Sequence, residues 1–450
     1  MRKHIVKVSH LACIGFFLAL MSCANFSAID RPVTQYTPYG TDQVAGQRSP
    51  DLLVLVAFSG GGTRAAAFAY GVLKTLADTK VMTDKGQRSL LHEVDVISSV
   101  SGGSFTSAYY GLRGDKIFEE FEERFLRKNV EGALIWQVLS PVNWIPQMSR
   151  IYGRGDVAAE YYDKHIFDGA TFADLERPGA PAVVINATDL ATGMRFSFTP
   201  AYFDLICADL DQYPLSRAVT ASSAVPVLFT PITVKSYAGT CGFELPTWVA
   251  EAREDERNST RKAEARGLMS YMDREKRPWI HLVDGGIADN LGLRAYYTTF
   301  SLAGNPREVF NALGHPGVRH VLIISVNSFA HKQEKWPLKR AAPGLAETMG
   351  AISSDQIGRY NYDTIDIVRY SFDYWTRKIS TPQLPVTFDF VEVSFNSVHD
   401  ADQRQALNDI GTNFDLKDDE VDLLIQSADE VLRSSPEFRS FLARINGQVK

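Results

Sequence analysis

Long apolar segments alternate with amphipathic ones along much of this chain. Leu52–Phe58 is a continuous apolar run closed by glycines, which predicts a strand buried on both faces of a parallel sheet. Four more segments of this kind predict strands at residues 94–98, 182–186, 280–283 and 321–326. Helical periodicity follows the first two strands, at residues 65–76 and 102–111. The alternation predicts a three-layer α/β fold, in which a mainly parallel central sheet has helices on both faces.

Two segments interrupt this alternation within a main domain that we place at residues 51–330. Residues near 130–150 are apolar and aromatic without a strand pattern, so they either cover a site or form an ordinary core helix and loop. Residues near 250–277 carry dense mixed charge, which indicates a solvated helical excursion. Residues 331–450 contain amphipathic patterns, and we expect them to form a helical extension packed on the main domain.

The N-terminus has the pattern of a targeting segment. Basic residues precede an apolar run that is too short to span a bilayer, which predicts a signal peptide at residues 1–22. The sequence Leu-Met-Ser-Cys that ends at Cys23 resembles the bacterial lipobox, which predicts a lipidated Cys23; an ordinary signal peptide is the alternative. Ala24 stands where Asp would resemble an inner-membrane retention signal, so we expect a lipoprotein of the bacterial cell envelope at the outer membrane. Polar residues 23–50 predict a tether.

Composition excludes some classes of function. The chain is 45% hydrophobic and only 22% charged, which is typical of a globular protein and not of a disordered one. Its formal net charge of -6 gives no basic footprint for nucleic acid, whereas a lipid or neutral ester substrate is compatible with it. Cys207 and Cys241 are an even pair in the mature chain, which predicts a disulfide or two separate buried thiols. Metal ligands form no compact cluster in the sequence, so we expect neither a metal nor a cofactor.

A candidate nucleophile lies between the second predicted strand and the helix after it. The segment Ser99-Val100-Ser101-Gly102-Gly103 has the strand-turn-helix context of a nucleophile elbow, with Ser101 at the apex. Ser99 and Gly103 are small enough for the tight turn, although Ser99 accepts a positive φ less readily than glycine does. A turn serine that caps the following helix is the alternative.

A glycine triplet follows the first strand. Gly60, Gly61 and Gly62 let the backbone approach a ligand closely, and N–H groups at a helix start face developing negative charge. This arrangement predicts an oxyanion hole. A phosphate-binding loop is the competing interpretation, but Arg64 enters the helix where such a loop continues with Gly-Lys-Ser or Gly-Lys-Thr.

A candidate base ends the strand predicted at residues 280–283. Asp284 is followed by Gly285 and Gly286, which turn the chain sharply away. Because sites in α/β sheets form at the carboxyl ends of strands, we expect Asp284 to lie at the same edge as Ser101. The alternatives are a turn or cap aspartate at this position, and Asp289 as the acid.

The glycine triplet, the serine elbow and the Asp-Gly-Gly turn, in that order along the chain, resemble the motifs of the patatin-like phospholipase family. Two further segments are also similar to it, namely residues 217–226 with Phe229 and Pro231, and residues 186–190 with Gly193. The resemblance extends from about residue 51 to about residue 327 and implies a patatin-like fold with its catalytic domain at residues 51–330. The departures from the family pattern are Ser59, Ala65 and Ser99, and none of them removes a reacting group.

The resemblance implies a lipid acyl-ester hydrolase of the phospholipase A or lysophospholipase type. Asp284 would take the proton of Ser101 in a Ser-Asp dyad without histidine, and an acyl-enzyme would form and be hydrolysed. The oxyanion would lie at the glycine triplet, with Arg64, Gly103, Gly285 and Gly286 in support. The expected partners are a phospholipid or other acyl-ester lipid and the membrane that holds the lipidated N-terminus. One alternative is an α/β-hydrolase triad that uses His315, His320 or His399, and another is an inactive lipid-binding lipoprotein.

Overall fold

The computed structural model describes residues 29–37, 48–140, 152–226, 228–331, 336–446 and 448–449. The strands are β1 Leu52–Phe58, β2 Thr79–Thr83, β3 Gly86–Ser89, β4 Val94–Val100, β5 Ala182–Asp189, β6 Arg195–Phe198, β7 Ile232–Lys235, β8 Trp279–Val283, β9 His320–Asn327, β10 Thr387–Ser394 and β11 Gln448–Val449.

The helices lie between these strands and after them. They are α1 Gly62–Asp78, α2 Gly102–Arg113, α3 Ile117–Phe121, α4 Val130–Leu139, α5 Arg154–Tyr162, α6 Pro200–Leu205, α7 Leu215–Ser222, α8 Thr247–Arg253, α9 Ser259–Tyr271, α10 Gly286–Asp289, α11 Arg294–Ala303, α12 Pro306–Ala312, α13 Leu345–Ile379, α14 Ala401–Asp409, α15 Asp418–Ser434 and α16 Pro436–Arg444. All five predicted strands and both helices that were predicted after the first two strands are present, with ends that differ by a few residues.

A mixed sheet forms the centre of the molecule. In the described part of the chain its strand order is β10-β9-β1-β4-β5-β8-β7, and β6 also pairs with β5. The five strands from β10 to β5 run parallel, whereas β6, β7 and β8 add antiparallel pairs at one side. The predicted fold class, a mainly parallel sheet with helices on both faces, is therefore confirmed.

Alternate residues of the central strands enter two separate cores, one on each face of the sheet. In β1, Val54, Val56 and Phe58 pack into the core that contains α1, α2 and α15, while Leu53 and Leu55 pack into the core that contains α11, α12 and α13. Every residue of β1 is buried, which explains why its sequence is apolar without polar alternation.

The C-terminal region is not only helical. The sequence analysis described residues 331–450 as a helical extension, but β10 lies in this region and pairs with β9 along its whole length, from Thr387↔His320 to Ser394↔Asn327. The region therefore supplies an edge strand of the central sheet as well as helices. β10 is less buried than β1, in agreement with its place at the edge of the sheet: Thr387, Phe388, Asp389 and Glu392 are only partly buried, whereas the other four residues of the strand are buried.

The predicted insertions and tether have defined structure where the chain is described. The first insertion contains α4, while residues 141–150 lie outside the described residues; the second contains α8 and α9. Residues 29–37 of the predicted tether are bound to the domain, since the Val33 N–H donates to the Cys207 carbonyl (3.0 Å) and the Tyr36 N–H to the Cys241 carbonyl (2.8 Å). Cys207 and Cys241 form a disulfide at this docking site, with their Cα atoms 5.6 Å apart.

Candidate active site

Ser101 occupies a strained turn between β4 and α2. Its φ of 49° is unusual for a residue other than glycine, and such strain is typical of functional sites. The loop passes so close to other backbone that a Cβ on Gly102 would overlap the Gly62 carbonyl, and one on Gly103 would lie 2.7 Å from the Ser59 carbonyl oxygen. Ser99 does not adopt a positive φ, so a serine where the family pattern has glycine causes no backbone strain here. The Ser99 hydroxyl lies 2.6 Å from the Ser107 hydroxyl.

Asp284 lies directly beside this serine. The Ser101 hydroxyl donates to Asp284 Oδ2 at 2.8 Å, and the Gly286 N–H donates to Asp284 Oδ1 at 2.8 Å. Burial raises the pKa of Asp284 to about 6, although the hydrogen bonds from Gly286 and Ser101 oppose the shift. The carboxyl group can therefore accept a proton near neutral pH.

Asp284 reaches this edge of the sheet in a way that differs from the expectation. β8 runs antiparallel to β5 and overlaps only its last residues, Thr188↔Val283 and Asp189↔Leu282. It therefore enters from beyond the carboxyl end of β5 and finishes beside that end. The carboxylate lies at the predicted edge, but the reason is this short antiparallel overlap and not a parallel strand.

Backbone contacts hold the turn that carries the acid. The Asp284 N–H donates to the Ala224 carbonyl (3.0 Å), and the Gly285 N–H donates to the Ser222 carbonyl (3.0 Å). The Thr188 hydroxyl donates to the carbonyl of Asp284 (2.8 Å). Gly285 has no room for a side chain beside the Asn186 carbonyl, which explains the glycine after the acid.

The three glycines differ in what their N–H groups do. The Gly60 N–H donates to the Asn290 carbonyl at 2.9 Å, so it is already engaged, contrary to its predicted place among the oxyanion donors. Among the described residues, neither the Gly61 nor the Gly62 N–H has a hydrogen-bond partner. Both residues have positive φ, 139° and 61°, and the Gly62 backbone lies against Gly102, next to Ser101. Both N–H groups are therefore available as hydrogen-bond donors.

Arg64 ties the glycine loop to distant parts of the chain. Its Nε donates to the Ser328 carbonyl (3.1 Å) and its Nη1 to the Ile410 carbonyl (2.6 Å). Burial lowers the pKa of Arg64 to about 10, so the guanidinium stays charged at neutral pH. The Thr63 N–H donates to the Asn413 carbonyl (3.0 Å), which adds a second contact with the C-terminal region. The sequence analysis missed Ser328, Ile410 and Asn413.

The buried hydroxyl group of Ser222 holds the turn that carries the nucleophile. Ser222 Oγ accepts the Ser101 N–H (2.8 Å) and donates to the Asn186 carbonyl (2.6 Å). The Asn186 amide in turn donates to the Ser98 hydroxyl (2.9 Å) and the Ser99 carbonyl (3.0 Å). Both residues lie in segments that resemble the family, but their roles were not predicted, because nothing in a run of small residues indicates which hydroxyl faces the elbow.

The alternative acid and the histidines lie elsewhere. Asp289 is buried and accepts the Arg294 N–H (2.7 Å), without contact to Ser101. His315 pairs with Asp95 (2.9 Å) near the start of β4, and His320 begins β9, so both lie towards the opposite edge of the sheet. Within the described ranges, no histidine side chain hydrogen-bonds to Ser101 or Asp284.

Cys23 and the predicted signal peptide lie outside the described residues. In the part of the chain that the structure describes, no helix combines the length and the apolar composition needed to cross a bilayer.

Some solved structures are similar to this chain at low identity and with low TM-scores. Human GIVD cytosolic phospholipase A2 is 12% identical, with 93% of this chain and 69% of that chain covered and a TM-score of 0.41. The same human enzyme in complex with methyl gamma-linolenyl fluorophosphonate is 12% identical, with coverages of 95% and 64% and a TM-score of 0.40. VipD from Legionella pneumophila is 13% identical, with coverages of 96% and 73% and a TM-score of 0.32.

Family membership rests on the sequence. A search of curated proteins gave no match. The family model described as patatin-like phospholipase matches residues 56–296, a span of more than half of the chain that contains the glycine triplet, Ser101 and Asp284. That match supports a lipid acyl hydrolase with a lipid substrate. The chain belongs to the patatin-like phospholipase family.

Proposed function

We propose that the protein hydrolyses acyl esters of lipids with Ser101 as nucleophile and Asp284 as general base. The observation that carries this proposal is the direct 2.8 Å hydrogen bond from the Ser101 hydroxyl to Asp284 Oδ2, in a buried site where the pKa of the acid is about 6. A carboxylate in that position takes the hydroxyl proton as Oγ attacks the ester carbonyl carbon.

The subsequent steps follow from the same groups. Negative charge develops on the former carbonyl oxygen, and the free N–H groups of Gly61 and Gly62 are suited to stabilise it. Collapse of the tetrahedral intermediate releases the alcohol, which takes the proton back from Asp284, and leaves the acyl group on Ser101. Water then attacks the acyl-enzyme, with Asp284 again as base, and the fatty acid leaves.

The histidine triad has less support. It requires an imidazole between the serine and the acid, but the serine hydroxyl donates to the carboxylate itself. A catalytically inactive lipid-binding protein also has less support. Ser101 has a strained backbone conformation beside a buried carboxylate, and lipid binding alone does not require that arrangement.

Labelling with a fluorophosphonate probe tests the nucleophile. The wild-type protein should be labelled at Ser101 and should hydrolyse a phospholipid, a lysophospholipid or a triglyceride in a substrate screen. The Ser101→Ala variant should fold normally, because the elbow accepts alanine sterically, but should show neither label nor turnover. Full turnover of a short-chain ester by this variant would refute the assignment.

We also propose that Cys23 is lipidated and anchors the protein to the outer membrane of the bacterial cell envelope. The spacing of Leu20, Ser22 and Cys23 after a short apolar run supports this proposal. Cells that express the full chain should incorporate radioactive palmitate into it, and Cys23→Ser should remove the label. Absence of label from the wild type would contradict the anchor.

A further inference from the structure

Helix α13 is longer than the layer that it packs on. It has 35 residues, and Gly358, near its middle, is buried against the ring of Phe329. From there to its end, one stripe of the helix is buried at Asn361, Thr364, Ile365, Val368, Phe372, Thr376 and Ile379. Before Gly358, every described side chain of residues 345–357 is exposed or only partly buried. At about 1.5 Å per residue, these thirteen residues form about 20 Å of helix in which no described side chain is buried.

This extension lies at the edge of the sheet that carries Ser101. Phe329 is the second residue after β9, and β9 is parallel to β1, whose carboxyl end leads into the glycine triplet. The Ser328 hydroxyl donates to the Gly60 carbonyl at 3.0 Å, so the two strand ends are in contact. We call residues 338–357, the turn before α13 and its exposed half, the projecting segment.

One face of the projecting segment is apolar. Leu345 is 82% exposed and Met349 is 60% exposed, and Ile352 completes an i, i+4, i+7 series on one side of the helix. Glu347 and Ser354 lie on the opposite side, about 180° away at 100° per residue. Three large apolar side chains thus face solvent together, and such a grouping marks a binding surface in a soluble domain.

The turn before the helix adds both apolar and basic groups. Leu338 is 89% exposed, more than any other large apolar residue that the structure describes, and the exposed Lys339 and Arg340 follow it directly. Aliphatic side chains that enter a lipid layer while cations remain among the headgroups are characteristic of interfacial helices. The combination is suited to a lipid surface, in particular one that contains anionic lipid.

Helix α4 supplies a second exposed apolar group that starts from the same edge. The N–H of its first residue, Val130, donates to the Phe414 carbonyl (3.0 Å), and the adjacent Asn413 contacts the glycine loop. Farther along α4, Trp136 is 78% exposed, and Ile135 and Leu139 are exposed as well. Two separate elements beside the site therefore present apolar side chains to solvent.

We propose that the projecting segment is a docking surface for aggregated lipid, either a bilayer or a micelle, and that it holds the Ser101 edge of the sheet against the layer that contains the substrate. The inference rests on the proposed function, because a lipid surface is the occupant that a lipid ester hydrolase must meet. An enzyme docked in this way acts faster on aggregated lipid than on dispersed molecules, because docking raises the local concentration of substrate.

Vesicle binding tests the proposal without catalysis. Full-length protein with Cys23→Ser and Ser101→Ala has neither the proposed lipid anchor nor the nucleophile and keeps the same residues 1–22 in every variant, so differences in flotation with phosphatidylglycerol-phosphatidylcholine vesicles between surface variants report on the folded surface. Addition of Leu345→Ser, Met349→Ser and Ile352→Ser should lower the partition coefficient at least tenfold, since each side chain of this size is worth about tenfold when fully buried. Met82→Ser is the matched control, because Met82 is 56% exposed but lies in β2, beyond the far end of α1.

A parallel experiment with an intact Ser101 separates this proposal from the proposed function. The triple substitution should reduce hydrolysis of vesicle phospholipid at least tenfold more than hydrolysis of a monomeric, water-soluble ester, whereas Met82→Ser should change neither rate. Circular dichroism melts check that each variant is folded.

Three results would overturn the docking proposal: an unchanged partition coefficient in the triple variant, an equal loss in Met82→Ser, or a wild-type dimer that the triple variant converts to a monomer without a change in vesicle binding. The last result would show that a second copy covers the face. If the wild type hydrolyses neither ester but vesicle binding depends on the three residues, the proposed function fails while the docking surface stands.

Discussion

The reacting pair and the glycine loop lie within a few ångströms of each other, but different parts of the chain support them. Ser101 and Asp284 are held by Ser222, Asn186 and Thr188, all within the residues that match the family. The glycine loop is held largely from outside those residues, through Ser328, Ile410 and Asn413. A recognisable sequence motif therefore does not always contain the residues that hold it in place.

The two sets of contacts also differ in chemistry. The reacting pair is supported by side-chain hydroxyl and amide groups, which require particular residues, as well as by the Ser222 and Ala224 carbonyls. The contacts of the glycine loop from outside the family match are mostly with backbone carbonyls, which any residue can provide, and the Ser328 hydroxyl adds a side-chain group. A search for residue patterns therefore detects the first kind of support and misses the second.

Loss of the base is the strongest way to break the reacting pair while its supports remain. Asp284→Asn should lower kcat by about 10²- to 10⁴-fold, or more, because it removes the proton acceptor of Ser101 and keeps the shape of the side chain. Steady-state kinetics on a soluble ester would measure this. As the matching control, no alanine replacement among His92, His165, His281, His315, His320, His331 and His399 should approach the loss seen with Ser101→Ala. A folded histidine variant without turnover would replace the dyad with a triad.

Displacement of the glycine loop tests whether its contacts with the C-terminal region position the oxyanion donors. In Gly62→Ala, a Cβ would stand 2.5 Å from the Asn413 carbonyl oxygen at a residue whose φ is 61°, so the loop or the C-terminal segment must move. We expect kcat to fall about a hundredfold, the usual effect of one lost oxyanion donor.

Gly169→Ala is the control for backbone strain alone. Gly169 also has positive φ (78°), but no atom lies within 4 Å of its would-be Cβ. The Gly169→Ala substitution should lower the free energy of unfolding by about 1 kcal/mol and leave kcat unchanged. Equal kcat values for the two variants would mean that the C-terminal contacts do not position the oxyanion donors.

The pH dependence should reveal the base itself. Because burial raises the pKa of Asp284 to about 6, kcat/KM should fall about tenfold for each pH unit below that value, as the carboxylate is protonated. The contribution of Asp284 to stability depends on pH in the opposite direction. Because the raised pKa means that the charged carboxylate is unfavourable in the fold, this contribution is lost as pH rises through about 6. Asp284→Asn should therefore be more stable than the wild type at pH 8 and similar to it at pH 4, by thermal unfolding.

The disulfide should have the smallest effect on turnover, because it joins two segments of the domain at the place where residues 29–37 dock and has no hydrogen bond to either half of the site. Cys207 and Cys241 should resist alkylation in the non-reduced protein, and quantitative alkylation of both would exclude the bridge. Reduction should lower the free energy of unfolding by about 3 to 4 kcal/mol, as expected for closure of a loop of this length, with kcat nearly unchanged.

The α/β class, the order of the three motifs and the candidate pair of Ser101 and Asp284 could be predicted from the sequence alone. Continuous apolar strands and glycines at forced turns are local features, and local features can be read from a single chain. The family resemblance, which the match over residues 56–296 supports, rests on those same features.

The folded chain alone fixes which glycine N–H groups remain free, and that the acid reaches its edge through an antiparallel strand. It also decided that residues 387–394 complete the sheet, and that residues 410–413 brace the oxyanion loop. These features depend on backbone groups brought together from positions far apart in the sequence. Because every residue carries the same backbone donor and acceptor, the sequence holds no local signal for such contacts, and only the packing of the whole chain fixes them.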